Sequence, residues 1–460
     1  MGLRSGVSLG TPVFSRLLAA IYGPKSGDRK TQAPEVAAVA VPPAPMTKAR
    51  ADRLFDAGEH AAARAAYEQL IGTAATPGLL VNRGYCELAL GEIDTAQLSF
   101  QAALSHSPQF APAWVGLGDA AAQKNRHAEA LRCYDSALDL NGALLIARNN
   151  RAQSLLALGR MEEAWRENET RLALPNAATL YPHRPALPRW DGTDGKRVLV
   201  HWEQGFGDII QHLRFLPAMA AHSRGCVFEC PPPLLALMRR MPGAPALIEA
   251  GNQPPQTADF DCHAPLLSLP FLLGMSAKTL PHSPYLAADA ARVTALRAGW
   301  KADGKHLVGI AWRASTFDPR RSLALAQLLE AFSPLAGSVR LVSLQKDISA
   351  DEGALLLQHG GIDAGSGFGS FDDTATALAA LDTIVCVDTA VAHLAGALAR
   401  TTLLLLNEPA AVRWMLDRND SPWYPSVRLL RKGGDTPWPQ LLDKAAQMLA
   451  PPQQPPASRA

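Results

Sequence analysis

The sequence has few cysteines, almost no net charge and no apolar run long enough to cross a membrane. Only six of its 460 residues are cysteines, and the closest two, Cys226 and Cys230, have no second Cys or His pair beside them. A zinc site is therefore not indicated, and buried free thiols in a reducing compartment are expected. A net charge of +2 gives no electrostatic reason to expect nucleic acid or an anionic membrane as a partner.

The beginning of the sequence also lacks the features of a membrane anchor or a secretory leader. The apolar stretch 13–22 is too short to span a bilayer, and Arg16 interrupts it. It has no clean apolar core followed by a cleavage site. We therefore expect a cytoplasmic protein without a transmembrane segment. Its length and its 48% hydrophobic and 19% charged content predict two or three globular domains.

What the sequence does contain is a fourfold repeat in its first third. Small residues recur 33, 34 and 34 positions apart, at Gly58, Gly91, Asn125 and Gly159. Two further sets keep this spacing: Ala63, Ala96, Ala130 and Ala164, and Tyr67, Phe100, Tyr134 and Asn168. A period near 34 residues predicts stacked helix–turn–helix units, which bury their apolar faces against one another.

The third unit carries a recognisable consensus. Trp114, Leu117 and Gly118 match the opening of a tetratricopeptide repeat, and Gly84 lies one period before Gly118. We expect these glycines to let paired helices approach closely, with the aromatic positions filling the seams. The sequence therefore predicts an array that binds a protein partner.

The second half has a different sequence pattern, in which short apolar runs alternate with helical stretches. The strand-like runs are 197–203, 226–230, 307–312, 339–344, 384–388 and 401–406. This alternation predicts βαβ units with parallel sheets, in two Rossmann-like halves. The predicted order is an arm or linker (1–47), the repeat array (48–175), a Pro-rich connector (176–194), the two halves (195–295 and 296–450) and a disordered tail (451–460).

Two strand–loop–helix junctions carry candidate functional residues. At the first, Gly205 and Gly207 precede Asp208, which is either a helix N-cap or a functional carboxylate. At the second, Asp388 ends a strand and Thr389 and His393 lie on one face of the following helix. Helix N-termini bind anions, so the second junction suits a diphosphate, and a cap with an ordinary helical histidine is the alternative.

A basic loop and a polar strand end supply the remaining candidates. Arg313, Arg320 and Arg321 follow the strand-like run 307–312, where they could clamp phosphate oxygens or form a solvated loop. Gln345 and Lys346 follow the next strand, where they could bind a ribose or a base.

The second half resembles glycosyltransferases of the heptosyltransferase type (glycosyltransferase family 9). The stretches that carry the resemblance are 203–211, 309–312, 343–346, 387–396 and 414–425, the last being similar to bacterial proteins that fuse tetratricopeptide repeats to this domain. The resemblance implies an α-solenoid followed by a GT-B fold, α plus α/β.

The same resemblance implies roles for individual residues. Asp208 would be the catalytic base, and Asp388, Thr389 and His393 would contact the donor diphosphate together with Arg320 or Arg321. It implies no cofactor and no obligatory metal, only a nucleotide-sugar as substrate. Asp259 and Asp261 form an Asp-x-Asp pair, which we interpret as the start of a strand and not as a metal motif.

Three functions are compatible with this pattern. The first is a glycosyltransferase whose repeats recruit a protein acceptor, with flagellin as one candidate. The second is a transferase acting on lipopolysaccharide or another glycan. The third is a repeat scaffold whose transferase half is inactive.

Overall fold

The computed structural model describes residues 45–174, 177, 187–251, 258–282, 284–301, 303–314, 318–433 and 436–449. These residues form two compact units that divide at about residue 182. The predicted tail, the predicted arm up to residue 44 and residues 178–186 of the connector lie outside the described residues. Within the described ranges, no helix is both long enough and apolar enough to cross a membrane.

The first unit is an array of helices, in which each helix packs against the next. The helices are α1 (Lys48–Asp56), α2 (His60–Thr73), α3 (Pro77–Ala89), α4 (Ile93–His106), α5 (Ala111–Gln123), α6 (His127–Leu140), α7 (Leu145–Ala157) and α8 (Met161–Asn168). The repeated small residues lie in the turns within each pair, with φ of 79°, 81°, 59° and 76° at Gly58, Gly91, Asn125 and Gly159. Glycine and asparagine recur there because they tolerate the left-handed conformation.

The helix seams confirm the predicted roles of the glycines and aromatic residues. A Cβ atom on Gly84 would lie 2.5 Å from Cε1 of Phe100, and one on Gly118 would lie 2.4 Å from Cε1 of Tyr134. Phe100 is fully buried and also lies against Gly116 of the next unit. The aromatic rings therefore pack where only glycine leaves room for them.

The second unit contains two parallel sheets, each of which is the centre of a lobe. The first sheet has the order β3-β2-β1-β4, formed by β1 (Arg197–His201), β2 (Gly225–Cys230), β3 (Ala246–Glu249) and β4 (Cys262–Pro265). Its helices are α9 (Phe206–His212), α10 (Leu216–His222), α11 (Pro232–Met238) and α12 (Leu269–Leu272). Trp190, from the predicted connector, is buried in this lobe, where its backbone N–H donates to the carbonyl of His263 at 2.8 Å.

The second sheet has six parallel strands in the order β10-β9-β8-β5-β6-β7. They are β5 (His306–Ala311), β6 (Val339–Ser343), β7 (Ile362–Asp363), β8 (Thr383–Val387), β9 (Thr402–Leu406) and β10 (Val427–Arg431). Its helices are α13 (Ala290–Trp300), α14 (Leu325–Phe332), α15 (Ala350–Gln358), α16 (Phe371–Ala380), α17 (Ala390–Ala397) and α18 (Trp438–Leu449).

The strand order of the second sheet fixes where a ligand would bind. Counted from β5, the order is 3-2-1-4-5-6, that of a dinucleotide-binding Rossmann sheet. The order reverses between β5 and β8, and a crevice opens at the carboxyl ends of the strands at such a point. The predicted pair of Rossmann-like lobes, the GT-B arrangement, is therefore present, and the second predicted junction, at the end of β8, lies at the switch point.

A buried arginine joins the two lobes. Arg214, which follows α9 and is only 1% exposed, donates to the carbonyl of Trp423 at 2.7 Å and to that of Pro281 at 3.1 Å. Its guanidinium also lies 4.8 Å from the ring centroids of Tyr285 and Tyr424. Carbonyl acceptors and cation–π contacts thus stabilise the buried charge of Arg214.

Candidate active site

The first junction folds differently from the N-cap interpretation. The N-cap residue of α9 is Gly205, and Asp208 is the third residue of the helix, so that interpretation of Asp208 is wrong. The left-handed residue in the turn is Gln204, with φ of 62°, whereas Gly205 has an ordinary φ of −83°. Gly207 is required for a different reason, because a Cβ atom there would lie 2.9 Å from Cδ2 of His393 in the other lobe.

The carboxylate of Asp208 is paired with an arginine that the sequence analysis missed. Arg413 Nη1 donates to Oδ1 of Asp208 at 2.7 Å, across 205 residues of chain. The Asp208 and Arg413 side chains are 22% and 27% exposed, so neither is closed off from solvent. Burial alone would lower the pKa of Arg413, but the carboxylates of Asp208 and Asp388 outweigh it and raise that pKa above its ordinary value. Arg413 therefore stays charged.

His393 lies beneath this pair, and both of its ring nitrogens have protein partners. Nδ1 is 3.0 Å from the hydroxyl of Tyr424, and Nε2 is 3.4 Å from Nη1 of Arg413. Because a guanidinium only donates, Nε2 is the acceptor and Nδ1 carries the proton. Burial, reinforced by the charge of Arg413, holds the pKa of His393 well below its ordinary value. His393 is thus a neutral imidazole, stacked on Trp414, that orients Arg413.

The end of β8 combines a helix tip, a cation and polar atoms without partners. Thr389 is the N-cap of α17, yet its side chain makes no capping bond. Arg321 Nη1 donates to the carbonyl of Asp388 at 3.1 Å and lies 3.5 Å from its Oδ2. Among the residues that the structure describes, Oγ1 of Thr389 and Oδ2 of Asp388 are buried without a hydrogen-bond partner. Such atoms at a helix N-terminus have the chemistry to bind a polar ligand.

Three of the four other predicted donor residues have local partners. Arg313 pairs with Glu352 at 2.9 Å, and its backbone N–H donates to Oε1 of Gln345 at 3.1 Å. Arg320 pairs with Asp318 at 2.8 Å and is 67% exposed. Lys346 is exposed just beyond β6. Of the two arginines that the sequence left as alternatives, Arg321 is the one in contact with the helix tip.

Two further carboxylates hold strands of the first lobe in place. Glu203, only 2% exposed, accepts the backbone N–H of Leu267 at 3.0 Å. Asp261 precedes β4 and accepts the backbone N–H of Arg197 at 2.7 Å, which ties the starts of β4 and β1 together. The Asp-x-Asp pair therefore does introduce a strand.

Comparison with known proteins identifies the repeats. A tetratricopeptide-repeat family model matches residues 48–109 and 81–144. The helical array is built of tetratricopeptide repeats. Over a longer stretch the chain is 28% identical to Protein FlbA of Caulobacter vibrioides, across 382 residues that are 74% of this chain and 61% of that protein. The chain thus spans about three fifths of this relative's length.

Two solved structures resemble the part of the chain beyond the tetratricopeptide repeats. One is a glycosyl transferase family 9 protein from Veillonella parvula, 12% identical, with 52% of this chain and 87% of that one covered at a TM-score of 0.40. The other is the ADP-heptose lps heptosyltransferase II of E. coli, 16% identical, with 55% and 98% covered at a TM-score of 0.40.

Proposed function

We propose that the second unit is a glycosyltransferase, which moves a sugar from a nucleotide-sugar donor to an acceptor hydroxyl. One observation carries the proposal. The carboxylate of Asp208, from the first lobe, pairs with Arg413, which also contacts His393 in the first turn of the helix that begins after Thr389. This contact supports a base on the first lobe and a diphosphate site on the second, facing one crevice.

The transfer step divides between these two groups. The acceptor oxygen attacks the anomeric carbon while its proton passes to the carboxylate of Asp208. The bond between the anomeric carbon and the phosphate oxygen breaks, and its electron pair leaves with the nucleoside diphosphate. Arg321 and Arg413, together with N–H groups at the start of α17, are proposed to stabilise that developing charge.

The cations of this chain supply the charge stabilisation, so the proposed step has no need of a metal ion. Two guanidinium groups beside a helix N-terminus can bind a diphosphate through bidentate, charge-assisted hydrogen bonds. Asp388 is proposed to fix Arg321 in this position, and His393 to fix Arg413. Thr389 is proposed to donate its hydroxyl to a phosphate oxygen.

The acceptor is proposed to be a protein bound by the tetratricopeptide repeats. Arrays of this type present extended surfaces that suit polypeptide partners. Flagellin is one candidate on the family resemblance, whereas a glycan acceptor would leave the repeats an assembly role.

Binding of nucleoside diphosphates to the full chain, measured by calorimetry, tests the proposal. We expect one of UDP, GDP, ADP or dTDP to bind, and Thr389→Val to weaken that binding by roughly 10-fold because one hydrogen bond to a charged group is lost. Thr389→Ser, which keeps the hydroxyl, should restore the affinity.

Threonine N-caps in the repeats provide the matched control. Thr76 caps α3 by accepting the backbone N–H of Leu79, so Thr76→Val should cost helix stability without changing nucleotide affinity. Absence of binding by the wild-type chain, or equal affinity in Thr389→Val, would contradict the proposed donor site. The first of these results would favour the inactive scaffold.

A further inference from the structure

Arg413 is in contact with groups from both sides of the crevice. One of its nitrogens lies 2.7 Å from the carboxylate of Asp208 in the first lobe and 3.4 Å from His393 in the second. Burial alone would lower the pKa of Arg413, whereas the carboxylates of Asp208 and Asp388 raise it. The same cation thus serves the proposed base and the proposed diphosphate site.

The backbone of Arg413 is fixed, so only its side chain is free to change partner. The indole N–H of Trp423 donates to the carbonyl of Arg413 at 2.8 Å. The next residue, Trp414, is fully buried against His393, and Arg431 donates to its carbonyl at 2.6 Å. Rotation of the Arg413 side chain moves the guanidinium within the crevice without moving the loop.

The charges around Arg413 are balanced until a donor arrives. Two carboxylates, Asp208 and Asp388, stand opposite two guanidinium groups, Arg413 and Arg321. A diphosphate adds negative charge at the tip of α17 and competes with Asp208 for Arg413. Phosphate oxygens, like carboxylates, accept bidentate hydrogen bonds from arginine, so the two anions are alternative partners.

We infer that Arg413 exchanges partners: it holds Asp208 when the crevice is empty and moves to the diphosphate when a donor binds. This inference rests on the proposed function and adds an order of events to it. A carboxylate held by arginine is a poorer proton acceptor than a free one. The donor therefore frees the base, and the acceptor hydroxyl loses its proton only when a sugar is in place. Arg413 is a positioning residue for Asp208 and a binding residue for the donor.

A double-mutant cycle on nucleoside diphosphate affinity in the full chain tests the exchange. We expect Asp208→Asn to bind the tightest of UDP, GDP, ADP and dTDP about 3- to 10-fold more tightly than wild type, because Arg413 no longer leaves a charged partner. Arg413→Gln should bind about 10-fold more weakly. In the double variant the gain from Asp208→Asn should disappear.

Loss of the affinity gain in the double variant distinguishes an exchange of partners by Arg413 from general electrostatic repulsion between Asp208 and the ligand. A gain that persists in the double variant, or no gain in Asp208→Asn, overturns the exchange while the donor site stands. No binding by wild type overturns the proposed function as well. Where Arg413→Gln does not fold, Arg413→Met takes its place in the cycle.

Asp303 provides the matched control for removing a carboxylate. It pairs with Arg340 at the same 2.7 Å distance, but it precedes β5, on the side of the strands' amino ends, whereas the crevice is at their carboxyl ends. Asp303→Asn should leave nucleotide affinity unchanged. A gain there equal to that of Asp208→Asn would also overturn the exchange.

Discussion

Gly207 of the first lobe lies directly against His393 of the second, and a methyl group on Gly207 would come within 2.9 Å of the imidazole Cδ2. The nearest atoms beyond it are Nε2 of the same ring at 3.4 Å and Cα of Ala390 at 3.8 Å. The two candidate junctions thus touch through a glycine, at the point where a larger residue would separate the lobes.

Gly207→Ala should therefore lower both stability and nucleotide affinity. We expect a loss of about 1–3 kcal/mol in the free energy of unfolding, because the methyl group displaces His393 or the helix that carries it. Gly205→Ala is the matched control, since its nearest neighbour would be Oδ2 of Asp208 at 3.8 Å, and it should cost less than about 1 kcal/mol. Chemical denaturation and calorimetry of both variants would decide. Equal losses of stability and affinity in the two variants would show that the contact between Gly207 and His393 does not determine either quantity.

The buried cation between the lobes predicts a second stability effect. Arg214→Met removes the donor from the carbonyls of Trp423 and Pro281, and we expect the free energy of unfolding to fall by about 2–4 kcal/mol. Arg224→Met is the control, because Arg224 is 63% exposed and its pair with Asp261 spans 3.3 Å. That surface pair should contribute less than about 1 kcal/mol. Similar stability of the two variants in denaturant titrations would refute a joining role for Arg214.

The repeats contain a carboxylate whose titration should change the free energy of unfolding. Asp119 accepts from the hydroxyls of Tyr85 and Tyr134 at 3.0 and 2.8 Å, and from Asn150 at 2.8 Å. Burial raises its pKa from 3.8 to about 6. Between these two values the folded state binds the proton more tightly than the unfolded chain, so this group makes the array less stable as the pH rises through that window.

The fragment 45–174, which we expect to fold alone because repeats contact only their neighbours, allows this measurement. The free energy of unfolding of wild type, relative to Asp119→Asn, should increase as the pH falls from 7 to 4.5. Asp94 is the control, since its hydrogen bond to Lys124 lowers its pKa and its titration lies below that window. A difference between wild type and Asp119→Asn that does not vary with pH would contradict the assignment, and an unfolded fragment would contradict the array's independence.

Periodicity and composition predicted most of the fold. The 33- and 34-residue spacing located the turns, because Gly58 and its equivalents need left-handed backbone. The buried strands were found because each is a short run of apolar residues. Three strands were missed for want of such a run: β3 has no buried residue, β7 is only two residues long, and β10 is interrupted by Arg428.

The candidate site was predicted where a Gly-rich turn, a helix tip or a cluster of arginines follows a strand. Asp208, Asp388, Thr389 and Arg321 come directly after strands or within the loop that follows one. Arg413 lies in a short turn after β9, and nothing in its surroundings marks it, because its partner Asp208 is 205 residues away. The motif beginning at Trp414 was the nearest signal. Side-chain pairing between lobes cannot be obtained from spacing along the chain.

The most direct test of the account is the release of nucleoside diphosphate from a panel of UDP-, GDP-, ADP- and dTDP-linked sugars by the full chain. The account predicts that wild type cleaves at least one of them. It also predicts that Asp208→Asn, with an unchanged melting temperature, is about 10²–10⁴-fold slower, the usual effect of removing a general base. Cleavage by Asp208→Asn at the wild-type rate, or no cleavage of any sugar nucleotide by wild type, would contradict it.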